Sequence, residues 1–297
     1  MKVLVTGATG FTGSHVVPLL LERGHAVRCL VRPSSDTSVL PAGRIELHAG
    51  DLGDGASLPA ALRDRDALVN IASLGFGHGP GIVSAAVASS VRRAVFISTT
   101  AIYTGLDAKS KSVRLAAEDC IRASGLDFTI LRPTMIYGGA RDRNMSRLIR
   151  YVGRWPVIPV FGDGQGLQQP VHVEDVARAA VRVLEEPATV GKSYNLAGAN
   201  ALSFDQIIDA VSGLMKRRVL KVHVPSAPIV RLLAAAERLS VPLPIRAEQV
   251  LRLNEDKAFD TSAAARDFGF RPLSFSEGIE RELKSLGLRC EDPERVG

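Results

Sequence analysis

The sequence predicts an α/β fold in which a doubly wound parallel sheet is followed by a smaller, mainly helical C-terminal part. Two observations carry this prediction. Short β-branched runs alternate with helix-length segments over the first two thirds of the chain, and a glycine-rich turn follows the first of those runs. A chain of 297 residues with 46% hydrophobic residues can also bury a sizeable core. We therefore expect an ordinary globular protein.

Seven strands are predicted along this part of the chain. Each is a run of β-branched and other apolar residues that ends at glycine, proline or polar residues. The runs are "KVLVT" (2–6), "AVRCLVR" (26–32), "IELHAG" (45–50), "ALVNIAS" (67–73), "AVFIST" (94–99), "FTILRP" (128–133) and "SYNLAG" (193–198).

A helix is predicted between the first two strands, from Gly10 to Gly24. Its apolar residues recur at the spacing of one helix face. Pro18 lies inside this helix, where a proline removes a hydrogen bond and kinks the helix at a cost of about 3 kcal/mol. After about residue 200, helical stretches broken by proline replace the strand pattern.

Composition and charge exclude several classes of partner. The chain has 37 basic and 31 acidic residues, a net charge of +6, and they are dispersed along its length. We therefore expect no nucleic-acid-binding surface, and we expect anionic small molecules as partners. Three widely spaced cysteines and six scattered histidines predict neither a disulfide framework nor a metal site. The absence of a signal-peptide pattern and of a long apolar run predicts a cytoplasmic protein without a membrane span. A homodimer is one oligomeric state that the sequence allows.

The stretch "VTGATGFTGSH" places Gly7, Gly10 and Gly13 three residues apart between a strand and a helix. Such a turn presents backbone N–H groups and the positive helix end to a phosphate, and a side chain at any of these glycines would block the phosphate's approach. We therefore predict a ligand that carries a pyrophosphate. The spacing differs from the usual G-x-G-x-x-G, and a glycine-rich turn that binds nothing is the alternative.

The segment "TGATGFTG" resembles the cofactor loop of the extended and atypical short-chain dehydrogenase/reductase families, which include NAD-dependent epimerases and dehydratases of nucleotide sugars. The resemblance covers nearly the whole chain, through "AGDLGD", "NIAS", "FISTTAIY", "LDFTILRPTMIYGG", "FGDGQGLQQPVHVEDVARA" and "SFSEGI". It implies a Rossmann-type fold. Residues 1–138 and 168–198 would then form the NAD(P)-binding domain, and residues 139–167 and 199–297 the substrate-binding part.

The resemblance also assigns cofactor-binding residues at the ends of the strands. Two residues would lie against the adenine, two behind the nicotinamide ribose, and the largest group on the pyrophosphate. Besides Arg32 and Ser34, the set is Gly7, Thr9, Gly10, Phe11, Thr12 and Gly13 in the pyrophosphate loop, Asp51 and Leu52 at the adenine, Ala72 and Ser73 at the ribose, and Pro133.

Arg32 and Ser34 bear on the choice of cofactor, because they follow the second strand. An acidic residue there would bind the two ribose hydroxyls of NAD, whereas a guanidinium and hydroxyls suit a 2′-phosphate. We therefore expect NADP in preference to NAD. Stacking of Arg32 on the adenine, which is compatible with either cofactor, is the alternative.

The catalytic centre departs from the family pattern. In these families a tyrosine four residues before a lysine is the general acid/base, because the ammonium lowers the pKa of the phenol. The segment "AAEDCIRASGLDFTILRP" sets a register that puts Ser110 and Arg114 at these positions, whereas a register through Lys111 puts Asp107 in place of the tyrosine. The phenol is absent in either register, although Lys111 or Arg114 can still contact the ribose.

Thr99, Tyr103 and Lys111 are therefore the predicted catalytic residues. Thr99 lies four residues before Tyr103 in "STTAIY" and matches the family hydroxyl that orients the substrate. Tyr103 is a candidate to replace the missing acid, since the loop that follows it can bring Lys109 or Lys111 close. A tyrosine that only packs at the end of the strand is the alternative.

Substrate binding is predicted at Thr100, Tyr137, Arg143 and Asn144. Tyr137 resembles a loop tyrosine that lines the cleft near the nicotinamide, and Arg143 supplies charge-assisted donors to an anionic substrate, unless it is only part of a solvated helix face. These features predict an NAD(P)-dependent oxidoreductase or epimerase/dehydratase that acts on a nucleotide-sugar-like or other polar small molecule. The competing prediction is an atypical dinucleotide-binding protein with little or no turnover.

Overall fold

The computed structural model describes residues 1–89, 91–106, 108–239 and 246–288. These residues form two compact units. The first unit consists of residues 1–134, 173–196 and 260–271, and the second of residues 135–172, 197–259 and the described residues from 272 onward.

The strands and helices have the following bounds. The strands are β1 Lys2–Thr6, β2 Ala26–Val31, β3 Glu46–Ala49, β4 Ala67–Asn70, β5 Arg93–Ile97, β6 Asp127–Pro133, β7 Ile136–Tyr137, β8 Val157–Phe161, β9 Leu167–Gln168, β10 Val171–His172, β11 Lys192–Leu196, β12 Leu202–Ser203 and β13 Leu220–Val224. The helices are α1 Gly13–Glu22, α2 Ser57–Leu62, α3 Gly79–Ala88, α4 Lys109–Arg122, α5 Met145–Arg154, α6 Val173–Glu185, α7 Phe204–Leu214, α8 Ser226–Arg238, α9 Ala247–Leu253, α10 Ser262–Phe268 and α11 Phe275–Ser285.

A seven-stranded sheet forms the centre of the first unit. Its order is β11-β6-β5-β4-β1-β2-β3, and every pairing is parallel. All seven predicted strands are confirmed at their places along the chain. The chain order changes direction at β1, which lies between β2 and β4. Ligands of such sheets bind at this switch point, beyond the carboxyl ends of the strands.

The central strands of the sheet are buried on both faces. Every residue of β4 and β5 is buried, as expected for parallel strands that helices cover on both sides. On one face, Leu4, Leu68 and Phe96 belong to a core cluster that includes Leu58 of α2 and Ile82 of α3. This packing fixes the positions of the strand ends and of the turns that follow them.

Residues 260–271 lie in the first unit, whereas the resemblance placed residues 199–297 in the substrate-binding part. The rings of Phe268 in α10 and Tyr194 in β11 meet edge-on at 5.2 Å between centroids. Asp267 accepts hydrogen bonds from Lys192 and from the Tyr194 hydroxyl. These long-range contacts have no signal in local periodicity.

The second unit combines helices with short strand pairs. β7 pairs with β10 and β8 with β13 in parallel, whereas β9 pairs with β12 in antiparallel orientation. β13 was not expected, since no strand was predicted after residue 200. Its apolar residues Leu220 and Val222 are exposed, so its alternation does not mark a buried face.

Within the described part of the chain, every helix is too short or too polar to cross a bilayer.

Candidate functional site

The turn between β1 and α1 lies where the sheet order reverses. Gly7 has a φ of +70°, and a Cβ on it would lie 2.7 Å from the Ala72 nitrogen. A Cβ on Gly13 would lie 2.2 Å from the Gly7 carbonyl oxygen. Backbone packing therefore requires both glycines, and their role in leaving room for a phosphate stays a prediction.

Gly10 differs because it is exposed, and a Cβ on it would meet only the Gly7 carbonyl oxygen, at 3.1 Å. The backbone N–H groups of Phe11, Thr12 and Gly13 make no hydrogen bond to any residue that the structure describes. Free N–H groups at the start of a helix bind anions. The turn therefore fits a pyrophosphate, and Gly10 keeps its approach open.

The carboxyl ends of β1 and β4 are joined by a buried polar pair. The Thr6 hydroxyl donates to the side-chain oxygen of Asn70 at 2.7 Å, and the Asn70 amide donates to the Ala72 carbonyl at 3.0 Å. Ser73 follows, and its Oγ accepts from the Gly75 N–H at 3.2 Å, which caps the 3₁₀ turn Leu74–Phe76. These bonds hold the predicted ribose segment beside the pyrophosphate turn.

On the other side of β1, Arg32 directly follows β2 and is exposed. Its guanidinium forms no ion pair or hydrogen bond among residues 1–89, 91–106, 108–239 and 246–288. Asp51 follows β3, and its carboxylate accepts from the Gly53 N–H at 2.7 Å, while Leu52 packs against the core. The segments predicted to bind the adenosine therefore follow neighbouring strands.

Ser110 and Arg114 lie one helical turn apart in α4. Arg114 Nη1 donates to the Ser110 hydroxyl at 2.6 Å, and a Cβ on Gly75 would lie 3.0 Å from the Arg114 guanidinium. Arg114 thus lies beside the turn that follows Ser73. This placement favours the register in which Arg114 takes the lysine position. Asp107, which the other register uses, lies outside the described residues.

Tyr103 ends the 3₁₀ turn Thr100–Tyr103 after β5, and it is 49% exposed. Its hydroxyl oxygen accepts a hydrogen bond from Arg132 Nη1 at 2.7 Å, and the hydroxyl donates to the Asn195 side-chain oxygen at 3.4 Å. The guanidinium carbon of Arg132 also lies 5.6 Å from the centroid of the ring. Arg132, which the sequence analysis did not single out, is therefore a cation in contact with the phenol.

Arg132 is held by Glu118, whose side chain is fully buried in α4. Arg132 Nε donates to Glu118 Oε1 at 3.0 Å and Nη2 donates to Oε2 at 2.5 Å, while the Ser98 hydroxyl donates to Oε1 at 2.6 Å. Burial alone would raise the pKa of Glu118, but hydrogen bonds from Arg132 and Ser98 outweigh it and lower that pKa. The buried carboxylate therefore stays charged and fixes the guanidinium.

The other predicted residues near β5 have backbone partners. Thr99 Oγ1 accepts from the Ala101 N–H at 3.2 Å, and the Thr100 hydroxyl donates to the Pro133 carbonyl at 3.4 Å. Lys111 Nζ donates to the Thr104 carbonyl at 2.6 Å. Lys111 therefore bonds to the residue that follows Tyr103, and its catalytic role stays a prediction. Nothing is described for the Lys109 side chain.

In the second unit, Tyr137 is 1% exposed, and its ring meets His172 edge-on at 5.4 Å between centroids. A Cβ on Gly278 would collide with the Tyr137 hydroxyl, so the ring fills a close-packed space in the core of this unit. The expectation that Tyr137 lines an open cleft is wrong. Arg143 and Asn144 are exposed, just before α5.

The start of α5 is capped by Asp142. Its carboxylate accepts from the Asn144 N–H at 2.8 Å and from the Ser146 N–H at 2.9 Å. The Asn144 side chain makes no capping hydrogen bond to this helix.

Comparison with known proteins agrees with this geometry. Residues 7–187 match a family model described as NAD(P)H-binding. A curated relative, subunit 9 of the NADH dehydrogenase [ubiquinone] 1 alpha subcomplex from Dictyostelium discoideum, is 26% identical over 70% of this chain, and the match spans 62% of that protein, less than two thirds of its length. The NAD(P)H azoreductase of Xenophilus azovorans is 28% identical over 75% of this chain and 77% of its own length.

Solved structures show the same fold. The UDP-glucuronic acid 4-epimerase from Bacillus cereus, in complex with UDP-glucuronic acid and NAD, superimposes with a TM-score of 0.76 at 20% identity. The match covers 97% of this chain and 99% of the epimerase. At this identity the similarity establishes the fold and leaves the substrate open.

Proposed function

Because this chain belongs to the NAD(P)H-binding family, we propose that it is an NADPH-dependent reductase of a small molecule, with Tyr103 as the proton donor. One observation carries the proposal. Arg132 donates a hydrogen bond of 2.7 Å to the Tyr103 hydroxyl oxygen, where β5 ends beside β4. A phenol in contact with a cation is the arrangement that the missing tyrosine and lysine would have supplied.

The cofactor would lie across the ends of β1, β2, β3 and β4. The N–H groups of the glycine turn would bind the pyrophosphate, and Arg32 with Ser34 would bind the 2′-phosphate of NADP. Ala72 and Ser73 would contact the nicotinamide ribose. When bound, the dinucleotide supplies the hydride.

Tyr103 would donate its hydroxyl proton to the substrate atom on which negative charge develops. The guanidinium of Arg132, which already donates to that hydroxyl oxygen, would stabilise the phenolate that remains. Thr99 uses its oxygen as an acceptor for the Ala101 N–H, so its hydroxyl hydrogen is left to orient the substrate. Arg143 and Asn144 would bind a polar group of the substrate, such as that of a nucleotide sugar.

A second candidate is a dinucleotide-binding protein with little or no turnover. It is favoured by the hydrogen bond between Arg114 and Ser110, because these residues would occupy the family positions of the acid/base pair and neither is a phenol.

Consumption of NADPH in the presence of carbonyl, quinone and azo acceptors tests the proposal. The same preparation is titrated with NADPH and NADH by cofactor fluorescence. Turnover of at least one acceptor together with tighter binding of NADPH is expected. Binding of NADPH without turnover of any acceptor class would favour the second candidate.

A cytoplasmic location and a homodimer of the 31.7 kDa chain stay predictions. Light scattering coupled to size exclusion measures the oligomeric state directly.

A further inference from the structure

Two short turns of the second unit lie side by side where β8 and β13 begin. Leu220 pairs with Val157, and the Leu220 N–H donates to the Pro156 carbonyl at 2.8 Å. Where the preceding helices α5 and α7 end, a Cβ on Gly153 would lie 3.2 Å from the Met215 methyl group. Residues 154–157 and 216–220 are therefore neighbours, although they are far apart in the sequence. We call them the cationic tip.

The cationic tip carries four exposed positive charges, on Arg154 and residues 216–218. None of the four forms an ion pair with a residue that the structure describes. The acidic residues of the adjoining helix α7 do not neutralise them, because they are already bound to Lys221 and His223. The Arg154 guanidinium lies 5.6 Å from the centroid of the Trp155 ring. The tip is therefore a concentrated positive charge without an internal counter-charge.

Large apolar side chains are exposed among these charges. Trp155 is 50% exposed, Leu220 65% and Val157 42%. A cluster of exposed apolar side chains in a folded protein marks a surface that contacts something else. Tryptophan favours the interface between water and lipid, where its ring lies at the level of the headgroups, and arginine and lysine are attracted to anionic lipids.

We propose that the cationic tip binds the surface of a bilayer that contains anionic phospholipids. The tip combines the two attractions that hold a protein at such a surface, insertion of apolar side chains at the headgroup boundary and charge complementarity to the lipids. The contact is peripheral and does not depend on the proposed reductase activity. An acidic protein surface shares the charge complementarity but offers no headgroup layer for Trp155.

Trp155 makes the test direct, since it is the single tryptophan of the chain. The full-length protein is mixed with vesicles of phosphatidylcholine alone, or of phosphatidylcholine with phosphatidylglycerol, and its fluorescence and its flotation with the vesicles are measured. With the anionic vesicles, the emission is expected to shift to shorter wavelength as Trp155 leaves water, and the protein is expected to float. Both effects are expected to weaken as salt is added.

A charge-reversed variant and a matched control locate the contact. R154E/R217E/R218E is expected to lower the partition coefficient onto anionic vesicles by about a hundredfold or more, because each cation near the surface contributes to binding. R44E/R63E/R92E makes the same change in net charge at exposed arginines of the first unit and is expected to bind like the parent. Leu220→Gln, which keeps every charge, is expected to weaken binding and reduce the emission shift.

Three results would overturn the proposal. The first is no flotation and no emission shift with anionic vesicles. The second is an equal loss of binding in the tip variant and in the matched control, since attraction would then follow net charge alone. The third is a Trp155 shift on adding polyglutamate but none with anionic vesicles, which would assign the tip to an acidic protein.

Discussion

Arg32 is the residue that we propose decides between the two dinucleotides, because its exposed guanidinium has no protein partner among the described residues. We expect NADPH to bind more tightly than NADH by about 1.5–3 kcal/mol, the value of a hydrogen bond to a charged group. Arg32→Asp should reverse the order, since a carboxylate accepts from ribose hydroxyls and repels the 2′-phosphate. Fluorescence titration with both cofactors measures this, with Arg63→Asp as the control. Equal affinities in the parent would disprove the role of Arg32.

The buried pair of Arg132 and Glu118 gives a prediction that does not depend on activity. Arg132→Met should lower the free energy of unfolding by about 3 kcal/mol, the lower end of the range for a broken buried pair, because Glu118 would then keep only the partly exposed Arg122 as its cation. Arg132→Met combined with Glu118→Gln should recover most of the loss. Chemical denaturation of the parent, the single and the double variant measures both values. A double variant as unstable as the single one would show that the charge pair is not the cause.

Sequence reasoning singled out Tyr103 as a candidate but not the cation beside it. Arg132 stands at the end of the apolar run "FTILRP", and Glu118 stands among apolar residues of α4. A charge within a buried strand needs an opposite charge nearby, which is a usable signal. The partner could not be identified from the sequence because contact between α4 and the end of β6 depends on the packed fold.

At the level of the β1–α1 turn, the three glycines have separable roles. Gly10→Val should abolish binding of the dinucleotide while the melting temperature changes little, because its Cβ position faces open space apart from the Gly7 carbonyl. Gly13→Ala should instead lower the free energy of unfolding by about 1–3 kcal/mol, since its Cβ would overlap the backbone of the same turn. Calorimetry and cofactor titration of both variants separate the two effects. Undiminished affinity in Gly10→Val would mean that the pyrophosphate does not lie on this turn.

Elements that depend on local pattern were predictable, and those that depend on distant partners were not. Most strands of the sheet are marked by buried apolar runs rich in β-branched residues, and all seven were found, including the exposed edge strand β3. β13 was missed because its apolar residues Leu220 and Val222 face outward and its partner β8 is remote in sequence. The position of α10 in the first unit was missed for the same reason, because it depends on contacts between α10 and β11.

The stability of the whole molecule should depend on pH through Glu282 in α11. Burial, together with the charge of Asp142, raises the pKa of this carboxyl to about 8 from its ordinary 4.5. Between these values the native carboxyl keeps its proton while the unfolded one has lost it, so the free energy of unfolding falls as pH rises. Glu282→Gln should remove this part of the decline, because a neutral amide cannot ionise. Melting temperatures measured at several pH values between 4.5 and 8 check this decline, with the exposed Glu280→Gln as control. Parallel curves of melting temperature against pH for the parent and Glu282→Gln would contradict the role of Glu282.

The grouping of charged residues on the surface of the molecule could not be predicted from the sequence. Basic residues are dispersed along the chain, and no patch was expected from their order. The pairing of β8 with β13 gathers Arg154 and residues 216–218 on one surface. Family membership, by contrast, could be inferred from the glycine turn and the motif order, because those features are local.

The most direct measurement is a single turnover of bound NADPH in the parent and in Tyr103→Phe, mixed with an acceptor that the parent reduces. Loss of the phenolic proton should slow NADPH oxidation by about 10²–10⁴-fold while the affinity for NADPH stays the same. Tyr151→Phe, on α5 of the second unit, should match the parent in both. Equal rates of NADPH oxidation in the parent and Tyr103→Phe would contradict the assignment of Tyr103 as the proton donor.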